Sequence, residues 1–348
     1  MNPIYYSRFF VKRLFAYTFF ASGKWARMVD KLADNHFLIL TYHRVLPKSI
    51  ASKETEPGMF VTPGTFEQHL NFLKMHFDVL PLSKLKEKSF YESESNRTKP
   101  ACFITFDDGW YDLYQFAFPI ITKCDVPATA FLPTGYIGSH RYFWSDIIYR
   151  AIAGSPRNFQ EPRISNNSAV NDLIAIPQDN PERIAEAIAK LKNLPVNEID
   201  EIIAELSKTV PIAKRAPNRQ FVSLSEIEIM KRSGLVAFGS HTVNHRILTT
   251  LKKSEIYREL NDSYCFLNEN KIIEQNDFIP FCYPNGNHDT NIKQAVMTAG
   301  YSAALTTLSG WNSLESDLYA LRRISLHEDM AQSIPLFVYK ILYGIVAA

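Results

Sequence analysis

Three signals that would narrow the class of this protein are absent from its sequence. Its four cysteines include no CxxC pair, and Cys102 and Cys282 lie in apolar runs typical of buried thiols, so nothing requires an oxidising compartment. Its net charge is only +2, which gives no global argument for binding nucleic acid or an acidic substrate. No repeat with a period of roughly 20–50 residues is present, which argues against a solenoid.

The chain also lacks a long uninterrupted apolar segment near its N-terminus. Residues 4–21 are apolar and aromatic, but Arg8, Lys12 and Arg13 interrupt them. A secretory signal peptide needs a continuous apolar core, and a spanning helix needs about twenty apolar residues with almost no charge, so neither fits well. Two interpretations stay open: a basic aromatic segment on a membrane surface, or an N-terminal helix packed on the domain. The apolar C-terminal stretch raises the same question.

The sequence does contain enough apolar residues for a large core. Of its 348 residues 46% are hydrophobic, which allows one large domain or two small ones. Seven short runs rich in β-branched or aromatic residues end in polar or glycine-containing turns, and most are continuously apolar, as expected for strands buried on both faces. These runs lie at 36–43, 101–106, 128–135, 235–241, 277–284, 301–307 and 321–326. Because amphipathic helical patterns fall between them, we predict an α/β fold whose parallel strands form a barrel closed or nearly closed on itself.

Residues 146–220 interrupt this alternation of strands and helices. The stretch contains two helical patterns with polar faces and no convincing strand, which predicts a helical insertion beside the barrel. The predicted organisation is a basic aromatic helical segment over residues 1–35, a barrel over residues 36–330 that carries the insertion, and an apolar C-terminal helix over residues 331–348.

Polar side chains follow several of the predicted strands at the point where each strand ends. Asp107 and Asp108 follow the second run, His43 ends the first, and His241 ends the fourth. In a parallel barrel the carboxyl ends of the strands share one rim, and the active site lies there. A lone strand-end histidine is usually structural, but the place of His43 on this rim leaves open a role beside the site or toward substrate.

The stretch "SHTVNH" adds metal-ligand spacing to this rim. On a helix, the i, i+4 spacing of His241 and His245 would put both imidazoles on one face, where they can share a metal. That spacing alone is a weak signal, but one carboxylate from a neighbouring strand end completes a two-histidine, one-carboxylate set with positions left for water and substrate. A second carboxylate can then take a proton from a metal-bound water. The adjacent Asp107 and Asp108 offer one group for each task.

With these residues in this order, the chain resembles the polysaccharide deacetylases, which include chitin and peptidoglycan N-deacetylases. The matching motifs are "TFDDG", "HTVNH" and "YPNG", and the resemblance runs from about residue 38 to residue 326, apart from the insertion. It implies a distorted (β/α)7 barrel and metal-dependent removal of an N-acetyl group from an amino sugar. It also implies that Asp107 is the general base and that the metal, with Zn²⁺ as the first choice, is bound by Asp108, His241 and His245.

The same resemblance assigns roles to the turn after the fifth predicted strand. The backbone N–H of Tyr283 would contact the oxyanion beside the metal, and Pro284 would fix the loop that presents it. Many relatives carry an arginine two residues before that proline to orient the base, whereas this chain has Cys282. We expect Arg323 to substitute for it, with Asp317 as its partner; the alternative is that Arg323 only packs or pairs at a strand end.

The resemblance also implies a general-acid histidine on a late strand. His327 in "SLHED" is the only late candidate, although Ser325 stands where a leucine is expected. If His327 does not serve, a metal-bound water or protonated Asp107 would protonate the leaving group. Trp144 and Trp311 could line a sugar cleft or belong to the core.

One functional prediction and two alternatives follow. The predicted activity is metal-dependent removal of N-acetyl groups from a polysaccharide or glycan precursor, with that glycan and not nucleic acid as the partner. The alternatives are hydrolysis of another C–N bond, as in an N-formyl sugar or a cyclic amide, and a catalytically inactive glycan-binding barrel. The basic N-terminal segment predicts a protein of the cytoplasm or the inner face of the cytoplasmic membrane, with peripheral contact through residues 4–21; a secreted or externally anchored barrel is the other possibility.

Overall fold

All seven predicted strands are present in the computed structural model of the chain. It describes residues 3–33, 35–54, 58–92, 98–153, 165, 167–210, 216, 218–274 and 278–346. Where the predicted terminal segments and the predicted insertion extend beyond these ranges, the predictions lie outside the described residues. The strands are β1 (His36–Tyr42), β2 (Arg44–Val45), β3 (Phe60–Val61), β4 (Asp78–Val79), β5 (Ala101–Phe106), β6 (Ala128–Leu132), β7 (Val236–Ser240), β8 (Pro280–Cys282), β9 (Ala303–Leu305), β10 (Asn312–Ser313) and β11 (Ile324–Ser325). The helices are α1 (Pro3–Ala21), α2 (Lys24–Asp30), α3 (Lys48–Glu54), α4 (Pro63–His76), α5 (Lys88–Tyr91), α6 (Phe118–Cys124), α7 (Trp144–Ala153), α8 (Ser168–Ile174), α9 (Pro181–Leu191), α10 (Val196–Thr209), α11 (Leu224–Arg232), α12 (Lys253–Glu269), α13 (Thr290–Thr298), α14 (Glu328–Ala331) and α15 (Ile334–Val346).

The main sheet curls into a ring of parallel strands. β1, β5, β6, β7, β8 and β9 are neighbours in that order, and each pair is parallel. The ring closes because Leu305 of β9 forms a parallel bridge with Leu321, and β11, three residues further on, pairs in parallel with β1. The short strands β4 and β10 pair with the beginnings of β5 and β1. The predicted distorted (β/α)7 barrel is therefore confirmed.

Strands β1 and β5 are buried along almost their whole length. Every residue of β5 is buried, and so is every residue of β1 except the first. A strand covered on both faces has no solvent side that calls for polar residues. This burial explains why these segments are continuous apolar runs in the sequence.

Alternate residues of each strand pack into different layers. Phe37 and Ile39 belong to a cluster that fills the barrel, whereas Leu38 and Leu40 join a larger cluster that includes side chains of α4, α12 and α15. This alternation follows from the two-residue period of a β-strand. Since large apolar side chains such as Phe103 fill the interior, the polar residues of the barrel are left at its carboxyl-terminal rim.

In the described part of the chain, five α-helices lie between β6 and β7, and the first four form a unit of their own. Helices α7, α8, α9 and α10 pack on one another around apolar side chains of their own, among them Ile152, Leu173 and Ile188. The start of α7 and the residue after α9 carry Trp144 and Lys192 to the cleft at the barrel rim. The helices therefore contribute side chains to the site as well as packing beside the barrel.

The N-terminal helix lies against the C-terminal one. The ring of Phe15 in α1 contacts the ring of Tyr339 in α15 at a centroid distance of 5.6 Å, and the Tyr17 hydroxyl donates to Ser333 Oγ at 3.1 Å. Among the helices of the described ranges, none has the length and apolar character needed to cross a membrane.

Candidate active site

The ends of three barrel strands bring the predicted polar residues to one cleft. His43 follows β1, Asp107 and Asp108 follow β5, and His241 follows β7. All four line a cleft of about 140 Å³, and His245 joins them from the turn after His241. The expectation that these strand ends share one rim is thus met, and the cleft is the candidate active site.

The three predicted metal ligands face one another. Asp108 Oδ1 lies 3.2 Å from His245 Nε2 and 3.5 Å from His241 Nε2, and the three ligand atoms all lie within 4.8 Å of one another. The two histidines lie in a turn after β7 and not on the face of a helix, with ring centroids 4.7 Å apart. The i, i+4 spacing therefore signalled the right pair, but a turn brings the two rings together.

Hydrogen bonds fix which nitrogen of His241 faces the cluster. Its Nδ1 lies 2.8 Å from the carbonyl oxygen of Cys282. Because a carbonyl only accepts, Nδ1 carries the hydrogen of this contact, and Nε2 is the nitrogen that faces Asp108. The other oxygen of Asp108 accepts from Trp110 Nε1 at 3.1 Å. A buried carboxylate with two imidazole nitrogens, oriented in this way, fits a divalent metal such as Zn²⁺.

The backbone of this cluster adopts uncommon conformations. Asp108, Thr242 and His245 have φ values of 72°, 65° and 54°, in the left-handed region, which is unfavourable above all for a β-branched residue such as Thr242. The buried carboxylate of Glu259 on α12 stabilises the turn, since it accepts from Val243 N at 2.9 Å, Asn244 N at 2.8 Å and Asn244 Nδ2 at 2.9 Å. Glu259 thus holds the turn that positions His245.

Asp107 is held by a buried arginine. Arg323 Nη1 and Nη2 each donate to one carboxylate oxygen of Asp107 at 2.7 Å, and the Arg323 side chain is fully buried. Burial alone would raise the pKa of Asp107, but the charge and hydrogen bonds of Arg323 lower that pKa to about 2. Asp107 is therefore a carboxylate at neutral pH, held in one orientation by two parallel hydrogen bonds.

Arg323 takes the place of the arginine that is missing at position 282, as predicted, because it contacts both Asp107 and Cys282. The prediction that Asp317 is its partner was wrong. Arg323 Nη2 lies 3.0 Å from Cys282 Sγ, so the small thiol leaves room for a guanidinium that arrives from the segment before β11. Asp317 does not contact Arg323 and instead pairs with Lys293 at 2.5 Å. The arginine is steadied by Thr306 O, which accepts from Arg323 Nε at 2.8 Å.

The prediction for the Tyr283 amide was also wrong. Its N–H donates to Leu305 O at 3.1 Å, within the pairing of β8 with β9, so it is not available to an oxyanion. The Tyr283 side chain does line the cleft, and its hydroxyl donates to Tyr319 O at 3.0 Å. Pro284 is buried at the start of the turn that follows, and Asn285, with a φ of 58°, is the next residue to line the cleft.

The structure contradicts the prediction that His327 is a general acid of this cleft. His327 precedes α14, its Nδ1 lies 3.0 Å from Asp329 Oδ1, and it is not among the residues that line the cleft. The histidine beside Asp107 is His43, whose Nε2 lies 3.9 Å from Asp107 Oδ2. The first strand and not the last therefore supplies the additional imidazole.

Several residues of the cleft were not predicted from the sequence. They come mainly from loops and from the helices between β6 and β7, and they are Arg44, Met59, Trp110, Phe143, Ser145, Asp146, Lys192, Ile247, Asn285 and Thr307. Of the two tryptophans considered, Trp144 lines the cleft, whereas Trp311 packs near Phe77 and donates to Ile341 O at 2.7 Å. The aromatic residue two positions after the paired aspartates, Trp110, was the one available signal.

The rim of this parallel α/β barrel carries a carboxylate–histidine cluster and, beside it, a second carboxylate that is bound by an arginine. These are the groups that hydrolysis by an activated water requires. Residues 94–304 match the sequence model of the polysaccharide deacetylases. Because this match covers more than half of the chain, the protein belongs to the polysaccharide deacetylase family, as the motifs predicted.

Curated relatives agree with this assignment. The poly-β-1,6-N-acetyl-D-glucosamine N-deacetylase of Staphylococcus aureus is 33% identical over 127 residues, which cover 34% of this chain and 43% of that protein. The match therefore spans less than half of the length of the Staphylococcus aureus protein. The Staphylococcus epidermidis protein of the same name is 26% identical over 215 residues, or 59% of this chain and 72% of that protein.

Two solved structures share the fold. The Streptococcus pyogenes deacetylase PplD in complex with acetate has a TM-score of 0.52 and 22% identity, covering 85% of this chain and 94% of that one. IcaB from Ammonifex degensii has a TM-score of 0.53 and 16% identity, covering 88% of this chain and 98% of that one. At this level of identity the two structures support the barrel fold alone.

Proposed function

We propose that this chain hydrolyses the N-acetyl groups of amino sugars in a polysaccharide or glycan precursor. The observation that carries the proposal is the pairing of two unlike carboxylates: Asp108 faces two imidazoles, and Asp107 beside it is bound by Arg323. The family match and the N-deacetylase names of the curated relatives support the same chemistry.

We assign a divalent metal, most simply Zn²⁺, to Asp108, His241 and His245. The donor set has the composition of catalytic zinc sites, with one carboxylate and two imidazoles. When bound, such a metal polarises the amide carbonyl and lowers the pKa of a water.

The remaining steps belong to residues of the chain. Asp107 takes the proton of the attacking water, and Arg323 keeps that carboxylate ionised and aimed at the cleft. His43 lies beside Asp107, and we assign to it the proton that the departing amine needs. Since Pro284 has no N–H and the Tyr283 amide is used by the sheet, we assign the oxyanion contact to the amide of Asn285.

Metal analysis combined with an acetate-release assay tests this proposal. The substrates are N-acetylated and N-formylated oligosaccharides of β-1,4- and β-1,6-linked glucosamine. We expect one bound divalent metal, acetate release by the wild type, and metal retention without turnover in Asp107→Asn. Formate release alone would favour cleavage of another C–N bond. An inactive glycan-binding barrel would bind oligosaccharide without binding metal, and His241→Ala would not change that oligosaccharide binding.

We also propose a location at the inner face of the cytoplasmic membrane, with peripheral contact through α1. The apolar side chains of Val11, Leu14 and Phe15 are 63%, 58% and 54% exposed on this helix, next to Lys12 and Arg13. Exposed apolar side chains beside cationic ones favour an anionic lipid surface.

Vesicle flotation and a topology measurement test the location. We expect the full chain to float with anionic vesicles, and a Val11→Glu, Leu14→Glu variant to lose flotation while it still cleaves soluble oligosaccharides. Equal flotation of the two proteins would exclude the contact through α1. Protease protection of the barrel in intact cells, but not in cells with a permeabilised inner membrane, is the expected topology, and digestion in cells whose inner membrane is intact would place the barrel outside.

A further inference from the structure

A second cleft continues from the candidate active site. It has a volume of about 160 Å³ and lies between the helices that follow β6 and the loops of the barrel rim. Three residues line both clefts: Trp144, Lys192 and Ile247. A substrate whose N-acetyl group lies at Asp107 can therefore extend past Lys192 into the second cleft.

The wall formed by the barrel rim and the end of α9 is cationic. Arg141, Lys192 and Arg246 line the second cleft, and Asp200 is the one carboxylate among its lining residues in the described part of the chain. Arg246 is partly neutralised by Glu255, at 3.5 Å from its Nη1. Within the described ranges, no carboxylate lies within salt-bridge distance of Arg141 or Lys192. Two cations of this cleft thus have no acidic partner among the residues that the structure describes.

Arg141 is held in place by neutral groups. Its guanidinium lies over the ring of Tyr136 at 4.2 Å from the centroid, and its Nη1 donates to the carbonyl oxygen of Gly135 at 3.2 Å. A guanidinium oriented in this way keeps further N–H groups for a ligand and loses little side-chain entropy when it binds one.

The second cleft also has apolar lining residues, Leu194, Val196 and Ile199, supplied by the segment after α9 and by α10. Apolar side chains displace water and strengthen the field of nearby cations. In the catalytic cleft itself, Lys192 shares the lining with Asp146, while Asp107 and Arg44 are each paired with an opposite charge. The unbalanced positive charge is therefore concentrated in the second cleft.

We propose that this second cleft is a subsite for an anionic group, a carboxylate or a phosphate, carried by the substrate next to the sugar that is deacetylated. The inference rests on the proposed function and narrows it to acidic or phosphate-linked glycans. Lys192 and Arg141 donate hydrogen bonds to the anion, and Arg246 adds to the field. A neutral glycan leaves these cations solvated and gains nothing from them.

Kinetics on three substrates test the subsite in the metal-loaded full chain. The neutral substrate is an N-acetylated chitotetraose, the carboxylate substrate is a hyaluronan tetrasaccharide, and the phosphate substrate is UDP-N-acetylglucosamine. In Lys192→Gln and in Arg141→Gln, we expect the ratio of kcat/KM for an anionic substrate to kcat/KM for the neutral one to fall roughly tenfold, through KM, since a charge-assisted hydrogen bond is lost. Lys190→Gln, a neighbouring exposed lysine of α9, should leave this ratio unchanged. Whichever anionic substrate shows the fall identifies the source of the anion.

A binding measurement separates the subsite from the reaction. The three compounds are titrated against Asp107→Asn, with and without Lys192→Gln, by calorimetry at low and high salt. Tighter, salt-sensitive binding of an anionic compound that is lost with Lys192→Gln supports the subsite, even if no acetate is released by the wild type and the proposed function fails. Equal affinity for neutral and anionic compounds, or a preference for an anionic compound that survives Lys192→Gln, overturns the subsite while leaving the deacetylase proposal to its own assay.

Discussion

Arg323 and Cys282 distinguish this site from the motif in which an arginine stands two residues before the proline after β8. In this chain, position 282 is a cysteine and the arginine is Arg323. The guanidinium of Arg323 reaches Asp107 from a position 216 residues later in the chain and donates to both of its oxygens. The thiol of Cys282 lies against it. The arrangement keeps the arginine–carboxylate contact and changes the strand that supplies it.

The first prediction concerns this contact. Arg323→Lys cannot form two parallel hydrogen bonds to Asp107, so we expect kcat to fall roughly 100-fold. Arg323→Met leaves Asp107 buried without a counter-charge and should lower the free energy of unfolding by about 3–5 kcal/mol. Acetate-release kinetics and denaturant unfolding measure the two effects. The neighbouring and exposed Arg322→Lys is the matched control; if it behaves like Arg323→Lys, the contact with Asp107 is not the cause.

Glu259 carries the second prediction. Its carboxylate accepts three hydrogen bonds from Val243 and Asn244, and these bonds hold the turn that ends in His245. Glu259→Gln loses at least one of them, so we expect metal affinity to fall roughly 10–100-fold. Competition with a fluorescent chelator measures the affinity directly. Glu269→Gln, an exposed residue at the end of the same helix, should bind metal as the wild type does, and an unaltered affinity in Glu259→Gln would remove this role.

The third prediction separates the two histidines. His43 lines the cleft beside Asp107, whereas His327 lies outside it against Asp329. We expect His43→Gln to lower kcat by roughly 10²–10⁴-fold with little change in metal content, the range for loss of a general acid. His327→Gln should stay within a few-fold of the wild type. The opposite ranking in the acetate-release assay would restore His327 as the acid.

Whether the role of a residue could be predicted from the sequence depends on whether a local pattern determines its position. The positions of Asp107, Asp108, His241 and His245 could be predicted because each lies within a few residues of a strand end. The orientation of the Tyr283 amide depends on the register of β8 against β9, which no local pattern contains.

At the scale of elements, His69 links two helices that meet outside the barrel. On α4, its Nε2 lies 2.7 Å from Ala331 O, its Nδ1 lies 3.2 Å from the Tyr42 hydroxyl, and its ring stacks on Phe337 of α15 at 4.1 Å. Burial lowers the pKa of His69 to about 4, although the hydrogen bond to Ala331 opposes this shift. The contact therefore requires a neutral imidazole.

This contact leads to a prediction about stability and pH. In the unfolded chain His69 has an ordinary pKa near 6.5, so the unfolded state binds more protons between pH 6.5 and about 4. The stability from this residue is present above pH 6.5 and falls by about 3 kcal/mol as the pH drops toward 4. Unfolding curves of the wild type and His69→Gln across this range measure the difference. Since all other groups are common to both proteins, parallel curves would exclude this role.

Strands were easier to predict than the loops that complete the cleft. Burial on both faces leaves a continuous apolar signature in β1 and β5. By contrast, Lys192 lies directly after α9, an ordinary amphipathic helix, and reaches the cleft only because α7, α8, α9 and α10 pack as they do. Its position is set by tertiary packing, for which a single sequence has no local signal.

At the scale of the whole molecule, the groups proposed for catalysis and those proposed for substrate binding lie side by side at one end of the barrel. Its interior is filled by apolar side chains, and the groups proposed for chemistry occupy the ends of strands from both halves of the chain. The helices between β6 and β7 then add a second wall, from which Lys192 faces the cleft. Reaction type and substrate choice are thus assigned to different parts of the fold, as is common when loops vary on a constant barrel.

The late position of Arg323 has a consequence for the order in which the site matures during synthesis. The residues proposed to bind metal are complete once His245 has been made, and the pairing of β5, β6 and β7 can bring them together. Asp107 obtains its counter-charge only after the segment from Leu321 to β11 has closed the ring. The proposed metal ligands are therefore all synthesised before the arginine that orients Asp107, so on the proposed function catalytic competence would follow the closure of the barrel by its last strand.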